Sequence, residues 1–212
     1  MKILVTGFEP FNGGCINPSE QIVHRLTAPV GVKLIKKILP VEFKKTTILL
    51  QKLFFEYEPD IVLSIGQAGG RAEISVERVA INLDSVKSSN GSKILPDNAG
   101  DIPVDEEIEA NGAAAYFSTL PIWEIVEAIQ TKGILAAVSN TAGTYVCNHV
   151  MYENLYLAST HYPKMKTGFI HVPFLPEQIE DREDKMRLAA MPLDDMVKAL
   201  QEVLEVLATM EM

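Results

Sequence analysis

The chain has 212 residues, of which 47% are apolar and 22% are charged, and this balance is typical of a folded globular protein. Its formal net charge at pH 7 is −9. Nucleic acids and anionic membranes require a basic face, so this excess of carboxylates excludes a general affinity for either of them.

The N-terminal segment has one lysine, then a short apolar run at 3–5, and then Thr6-Gly7. It lacks the length and cleavage pattern of a signal peptide and is typical of a first strand. Two cysteines, Cys15 and Cys147, lie far apart, and the sequence alone permits a disulfide between them. A leaderless chain is expected in a reducing compartment, where thiols stay free. We therefore expect a cytoplasmic protein, and no apolar stretch approaches the roughly 20 residues that span a bilayer.

Short apolar runs that end in glycine or polar residues predict strands buried on both faces, as in a parallel sheet covered by helices. These runs lie at 3–5, 61–65, 134–138 and 168–170, with a further strand at 32–39. Helical patterns lie at about 18–26, 43–57, 121–131, 145–159 and 193–207. The alternation predicts an α/β fold, a three-layer α/β/α sandwich around a mostly parallel twisted open sheet. We expect one domain over 1–212, with an irregular inserted loop at about 84–112 that is either functional or a solvated flap.

In an open parallel sheet, ligands bind outside the carboxyl ends of the strands. Cys147 follows the predicted strand 134–138 across a glycine turn and falls in the first turn of the next helix. There the free N–H groups and the positive end of the helix dipole favour a thiolate and could stabilise an oxyanion. A buried, unreactive cysteine is the alternative that position alone leaves open.

Two further residues suit a nucleophilic thiol. His171 ends the predicted strand 168–170, where it could take the proton of a thiol and return it to a departing amine. Glu77 lies where the apolar alternation changes phase, which predicts a bulge that turns its carboxylate inward to orient a histidine. A backbone-bonded histidine and a surface ion pair are the respective alternatives. The remaining histidines show no metal-ligand spacing and are interpreted as structural or surface groups: His24, His149 and His161.

Six motifs occur in one order along the chain. They are TGFEPF at 6–11, NPS at 17–19, GQAGGR at 66–71, ERVAIN at 77–82, AGTYVCN at 142–148 and GFIHVPFLPEQ at 168–178. Together they resemble pyroglutamyl peptidase I (pyrrolidone-carboxylate peptidase), a family of cysteine peptidases. Any one motif alone is weak, but six in the same order are specific. The match weakens after about residue 178.

The resemblance implies a cysteine exopeptidase (omega peptidase) that hydrolyses the amide bond after an N-terminal pyroglutamyl residue, with Cys147, His171 and Glu77 as its triad. It implies no metal or other cofactor, N-terminally pyroglutamylated peptides as partners, and a homo-oligomer, often a tetramer. Aromatic walls with a few hydrogen-bond partners suit a small, flat, uncharged lactam, and they reject the charged groups of free glutamate. The pocket that it implies is formed by Phe8, Phe11, Asn17, Gln67, Tyr145 and Val146.

The sequence departs from the family pattern after residue 82. An arginine associated with the oxyanion is replaced by Lys87 or Lys93, in what looks like an insertion. A lysine lacks the planar fork of arginine, so an impaired member that binds pyroglutamyl peptides without turnover is the alternative function. A dinucleotide-binding protein is disfavoured, because the stretch 7–14 lacks the G-x-G-x-x-G spacing and contains Pro10.

Overall fold

The computed structural model describes residues 1–87 and 94–210. The strands are β1 Lys2–Phe8, β2 Lys33–Leu39, β3 Ile61–Gln67, β4 Ile74–Glu77, β5 Val79–Ile81, β6 Ala115–Phe117, β7 Ala136–Ser139 and β8 Lys166–Val172. The helices are α1 Pro18–Arg25, α2 Phe43–Tyr57, α3 Ile122–Thr131, α4 Val146–Thr160, α5 Pro176–Ile179 and α6 Leu193–Ala208, with a 3-10 turn at Lys185–Arg187.

Six of the strands form one twisted sheet in the order β2-β1-β3-β8-β4-β7. Neighbours from β2 to β8 are parallel, β4 is antiparallel to β8, and β7 is parallel to β4. One face packs against α1, α3 and α6, and the other packs against α2 and α4. The predicted three-layer sandwich around a mostly parallel sheet is therefore confirmed.

The central strands β1 and β3 are buried along almost their whole length, which explains why their sequences show no polar alternation. The start of α1 also follows the sequence. Asn17 has extended backbone, its side chain accepts the Ser19 N–H at 3.0 Å, and Pro18 occupies the first helical position. Helix α6 buries one apolar stripe against the sheet, which includes Met196, Leu200 and Val203.

The phase change at Glu77 has a different cause from the one predicted. The chain leaves the large sheet after Glu77, and Val79–Ile81 pairs with β6 in a separate two-stranded sheet. The alternation breaks because the two halves of the segment have different neighbours, so the predicted bulge is wrong.

The segment at about 84–112 is irregular in its described part, as predicted. Two isolated bridges cross it, Asp84 with Glu106 and Lys87 with Ile94. Hydrogen bonds fasten it to the rest of the chain: the Phe43 N–H donates to the Asp97 carboxylate at 3.0 Å. Over the described ranges, no helix is both long and apolar enough to cross a membrane.

Candidate active site

The Cys147 side chain points at the backbone of β3. It is the second residue of α4, which begins after an extended Tyr145 and a turn that contains Gly143 at φ 83°. A Cβ added at Gly66 would lie only 2.8 Å from the Cys147 Sγ atom. Position 66 must therefore be glycine for the sulfur to rest there.

The imidazole of His171 lies on the same face of the sheet as the thiol. Gly66 and His171 are partners in the parallel register of β3 and β8, and register partners project to the same face. The Phe169 ring lies beside both groups. Its centroid is 4.8 Å from that of the imidazole, and its Cζ atom would lie 2.8 Å from a Cβ at Gly66. Thiol, phenyl ring and imidazole thus form one cluster over β3 and β8.

The carboxylate of Glu77 holds the His171 ring. The His171 Nδ1 atom lies 2.7 Å from the Glu77 Oε1 atom, and the two residues are 3% and 0% exposed. An ionised carboxylate only accepts, so Nδ1 carries the proton and Nε2 presents its lone pair. No described residue forms a hydrogen bond with Nε2. The nitrogen that a general base needs is therefore available.

A narrow cavity opens beside the thiol, with a volume of about 30 Å³. Its walls contain all six residues predicted to form the substrate pocket, together with Cys147, and they also contain Val41, which was not predicted. The full lining is Phe8, Phe11, Asn17, Val41, Gln67, Tyr145, Val146 and Cys147. The Phe11 and Tyr145 rings lie 6.2 Å apart, so aromatic surface forms much of the wall.

The model of the pyroglutamyl peptidase family matches residues 1–210 of this chain. The chain belongs to the pyroglutamyl peptidase family. It is 48% identical over 202 residues to the pyrrolidone-carboxylate peptidase of Streptococcus suis, covering 95% of this chain and 89% of that relative.

Solved structures agree with this assignment. Pyroglutamyl peptidase I from Bacillus amyloliquefaciens superposes with a TM-score of 0.91 at 41% identity, over 99% of this chain and 95% of that one. A variant of pyrrolidone carboxyl peptidase from the hyperthermophile Pyrococcus furiosus gives 0.89 at 42% identity, over 97% of each chain. The resemblance carried by the six motifs is confirmed, and the pyroglutamyl peptidase family match continues beyond the last motif.

The electrostatics of this pyroglutamyl peptidase site favour a neutral imidazole beside an ionised carboxylate. Burial lowers the pKa of His171, and the hydrogen bond and charge of Glu77 oppose this shift. Burial by itself raises the pKa of Glu77, but the hydrogen bond and charge of His171, with help from Ser139 and Arg71, lower it overall. His171 can therefore accept a proton at neutral pH.

The thiol does not follow the prediction made from the helix. Burial, followed by the charge of Glu77, raises the pKa of Cys147 to about 12, and Arg71 opposes the shift. The helix N-terminus favours a thiolate, as predicted, but desolvation of the anion opposes it and favours the neutral thiol in the resting protein. A neutral thiol needs a base to remove its proton during attack.

Arg71 is a further residue of this site to which sequence reasoning gave no role. Its Nη1 atom donates to the Glu77 Oε1 atom at 2.6 Å and to the Ser139 hydroxyl at 3.3 Å. Its Nη2 atom donates to the Thr141 carbonyl at 2.9 Å. The available signal was an arginine placed just after the carboxyl end of a buried strand. Of the lysines considered for the oxyanion, Lys87 is exposed and Lys93 lies outside the described residues.

Two amide side chains of the pocket have different partners. Gln178 Nε2 donates to the Gln67 Oε1 atom at 2.8 Å, so the Gln67 NH₂ group remains available to donate to a ligand carbonyl. Asn17 is occupied with capping α1, because its Oδ1 atom accepts from Ser19 and its Nδ2 atom donates to the Glu9 carbonyl. Gln67 is therefore better placed than Asn17 to recognise a ligand, and Gln178 fixes its orientation.

Proposed function

We propose that this chain is a cysteine-type pyroglutamyl peptidase that hydrolyses the amide bond after an N-terminal pyroglutamyl residue of peptides and proteins. Cys147 is the nucleophile, His171 the general base and acid, and Glu77 the orienting carboxylate. The observation that carries the proposal is the contact of the thiol with Gly66, the register partner of a histidine bonded to a buried glutamate at 2.7 Å. The activity named for relatives 48% identical to this chain supports the same conclusion.

In the proposed reaction, His171 Nε2 takes the thiol proton while the sulfur attacks the carbonyl carbon that follows the lactam ring. The resulting oxyanion accepts hydrogen bonds from the free backbone N–H groups in the first turn of α4. His171 gives its proton to the departing amine, which leaves a pyroglutamyl thioester. Water then attacks the thioester with His171 again as base, and this step releases pyroglutamate and restores the thiol.

The charges around the triad support this sequence of proton transfers. The thiol and the imidazole are both neutral at rest, so proton transfer accompanies attack instead of preceding it. Glu77 stays ionised because its pKa is lowered overall, and it stabilises the imidazolium that forms. These steps use no metal or other cofactor.

Substrate selection follows from the chemistry of the narrow cavity. The lactam ring of pyroglutamate is apolar on its faces and polar at its rim, which suits the aromatic walls of Phe8, Phe11 and Tyr145 with the Gln67 amide beside them. A free glutamyl residue carries charges that would be desolvated there without a partner.

The chain is further proposed to act in the cytoplasm as a homo-oligomer, with a tetramer as the expected form. Its two cysteines, which are both free, suit a reducing compartment. Large apolar side chains on the outer face of α2 suit self-association, because Ile48 and Phe55 are 68% and 83% exposed. Sedimentation equilibrium tests the assembly, and a monomer at micromolar concentration would contradict it.

Release of a fluorogenic amine from a pyroglutamyl reporter tests the activity, with a prolyl reporter as the specificity control. We expect turnover of the first reporter alone, and we expect iodoacetamide to stop it. Cys147→Ser should abolish turnover, whereas Cys15→Ser, at an exposed thiol, should retain it. Turnover by Cys147→Ser would refute the assignment of the nucleophile. Stoichiometric binding of a pyroglutamyl peptide by wild-type protein without turnover would support the alternative of a silent binding protein.

A further inference from the structure

A second cavity, of about 480 Å³, lies next to the candidate active site. The Phe43 ring packs edge-on against Tyr145 of the narrow pocket and against His149 of this second cavity. Residues of α2, of α4 and of the irregular segment form its walls. We call it the acidic cavity because six carboxylates line it: Asp84, Asp101, Glu106, Glu107, Glu109 and Glu153. One positively charged residue, Lys44, also lines the cavity, and its exposed side chain forms an ion pair with Asp101 at 3.0 Å.

Glu153 is a buried carboxylate in the wall of this cavity, with an acceptor that no described residue uses. The residue is 1% exposed, its Oε1 atom lies 3.4 Å from the Thr47 hydroxyl, and its Oε2 atom has no hydrogen-bond partner among the described residues. Burial raises the pKa of Glu153 to about 7, with Glu109 and Asp84 adding to the shift and His149 opposing it. A buried acceptor without a donor is costly, which suggests that a donor from outside the chain completes it.

Asp84 offers a second unused acceptor, on the same wall. Its Oδ2 atom holds the His149 Nδ1 atom at 2.7 Å, while its Oδ1 atom has no partner among the described residues. The other ring nitrogen of His149 lies 2.7 Å from the Thr47 hydroxyl. Both nitrogens of the ring are therefore used within the wall. The carboxylates of Asp84 and Glu153 are held in place, and each keeps one oxygen free.

The chemistry and size of the acidic cavity point to an organic cation. Among the described residues, no group of three or more His, Cys, Asp or Glu side chains is arranged to hold a metal ion. The volume lies in the range of small-molecule sites. Carboxylate oxygens without donors match the N–H groups of ammonium or guanidinium ions. The Phe43 ring adds an aromatic surface of the kind that attracts cations.

We propose that the acidic cavity binds a small organic cation whose ammonium or guanidinium group donates hydrogen bonds to Glu153, with Asp84 beside it. Two sources carry this chemistry. One is a free diamine or polyamine. The other is a lysine or arginine side chain of a peptide substrate, downstream of the pyroglutamyl residue, and this source rests on the proposed function.

Calorimetric titration with 1,5-diaminopentane tests the cavity without any need for turnover, and 1,5-pentanediol serves as the uncharged control. Wild-type protein should bind the diamine and not the diol. Glu153→Gln should weaken binding about tenfold or more, since a charge-assisted hydrogen bond is lost. Glu127→Gln, which removes an exposed charge on α3, should bind as wild type does. A cation beside Glu153 favours its ionised form, so binding at pH 7 should also release protons, measured as a dependence of the enthalpy on the buffer.

Peptide turnover distinguishes the two sources. The kcat/KM values of pyroglutamyl peptides with lysine or norleucine at the following positions are compared in wild type and in Glu153→Gln. A preference for lysine that disappears in the variant assigns the cavity to the substrate, whereas equal values with intact diamine binding assign it to a free cation. A second variant, Glu106→Gln, should also weaken diamine binding and tests the cavity independently of Glu153.

Two results would overturn the proposal. One is wild-type protein that neither binds the diamine nor prefers lysine. The other is diamine binding that is unchanged in both Glu153→Gln and Glu106→Gln. A failure to release amine from any pyroglutamyl reporter would instead count against the proposed function and would leave the calorimetric result standing.

Discussion

Two buried carboxylate–histidine pairs lie on the α4 side of the sheet. In each, a histidine Nδ1 atom is 2.7 Å from a carboxylate oxygen, in Glu77–His171 and in Asp84–His149. They differ in what surrounds them. Arg71 contacts Glu77, whereas Glu106 lies beside Asp84. The pKa of Glu77 is lowered overall, and that of Asp84 is raised because burial outweighs the contribution of His149.

The outer nitrogens of the two rings differ as well. His149 Nε2 is bonded to the Thr47 hydroxyl, whereas His171 Nε2 has no partner among the described residues and its ring shares a face with the Cys147 thiol. A hydrogen-bonded carboxylate–histidine pair can thus stabilise the wall of a cavity or take part in a reaction. The difference lies in the surroundings of the carboxylate, where Ser139 and Arg71 add to the effect of the histidine on Glu77, and in a ring nitrogen that no described residue binds.

The largest expected loss of kcat/KM distinguishes His171 from His149. His171→Ala should lower kcat/KM for a pyroglutamyl reporter by about 10⁴-fold or more, because the base that removes the thiol proton is lost. His149→Asn should keep kcat/KM within about tenfold, and it should lower the midpoint of urea unfolding, because a buried bonded group is removed. Steady-state kinetics and unfolding curves measure both quantities. Equal losses of activity would erase the contrast between the pairs.

Substitutions of the two carboxylates, Glu77 and Asp84, should also differ in their effect on kcat/KM, but by less than substitutions of the two histidines. Glu77→Gln should lower kcat/KM by about a hundredfold or more but by less than His171→Ala, since the amide oxygen can still accept from Nδ1 while the charge that stabilises imidazolium is gone. Asp84→Asn is the matched control and should change kcat/KM by less than about tenfold. If Asp84→Asn proved as damaging as Glu77→Gln, the assignment of the orienting carboxylate would be wrong.

Arg71, the cation beside Glu77, can be substituted without changing either member of the Glu77–His171 pair. Arg71 lowers the pKa of His171 and that of Glu77, so Arg71→Gln should raise both. His171 must be neutral to accept the thiol proton, and the acidic limb of the kcat/KM profile should therefore move to higher pH, with a loss of less than about tenfold at neutral pH. Arg71→Lys keeps the charge and should shift the limb less. A loss of rate without any shift of the limb would indicate a purely structural role.

The smallest expected effect is on the free energy of unfolding and concerns Glu153, which lies near the Asp84–His149 pair. Burial raises the pKa of Glu153 from 4.5 to about 7, so between these values the folded chain holds a proton that the unfolded chain has lost. Its contribution to stability therefore falls as pH rises through this window. Glu153→Gln should raise the free energy of unfolding at pH 8 by about 1–3 kcal/mol, and the gain should vanish near pH 4.5.

A control of opposite sign is available for that measurement. The folded-state pKa of Glu77 is lowered, so its contribution is present above the unfolded pKa and is lost as pH falls. Glu77→Gln should accordingly destabilise the protein at pH 8 and lose this effect in acid. Both variants are followed by urea unfolding at equal protein concentration. A gain for Glu153→Gln that does not depend on pH would contradict the expected titration.

The elements with long local patterns were predictable. Helix α2 has its predicted bounds, 43–57, and the buried strands β1 and β3 were found from their apolar runs. Strand β6 and helix α5, with three and four residues, are too short for periodicity to reveal. The direction of β4 was also beyond the sequence, because a four-residue strand has the same pattern in parallel and antiparallel pairs.

The site was predictable to a similar extent. The six residues proposed for the pocket and the proposed triad lie within sequence motifs, but the contact of Arg71 depends on which carboxylate the fold brings to it. The Cys147 thiol shows most clearly which properties cannot be predicted from local sequence. Its place in α4 is a local property, whereas its pKa depends on burial by β3 and β8, which are remote in sequence. Acidic residues of the irregular segment likewise gave no local sign that they share a cavity with Glu153.

The short antiparallel pairing of β4 with β8 has a consequence for preparing the protein. Ser75 lies opposite His171 and Glu77 opposite Phe169, and a slip of one residue would turn Glu77 to the other layer. Chains misaligned in this way would keep their helices and most of their apolar burial, and circular dichroism would count them as native. Turnover per mole of protein is therefore the more faithful measure of the correctly assembled fraction.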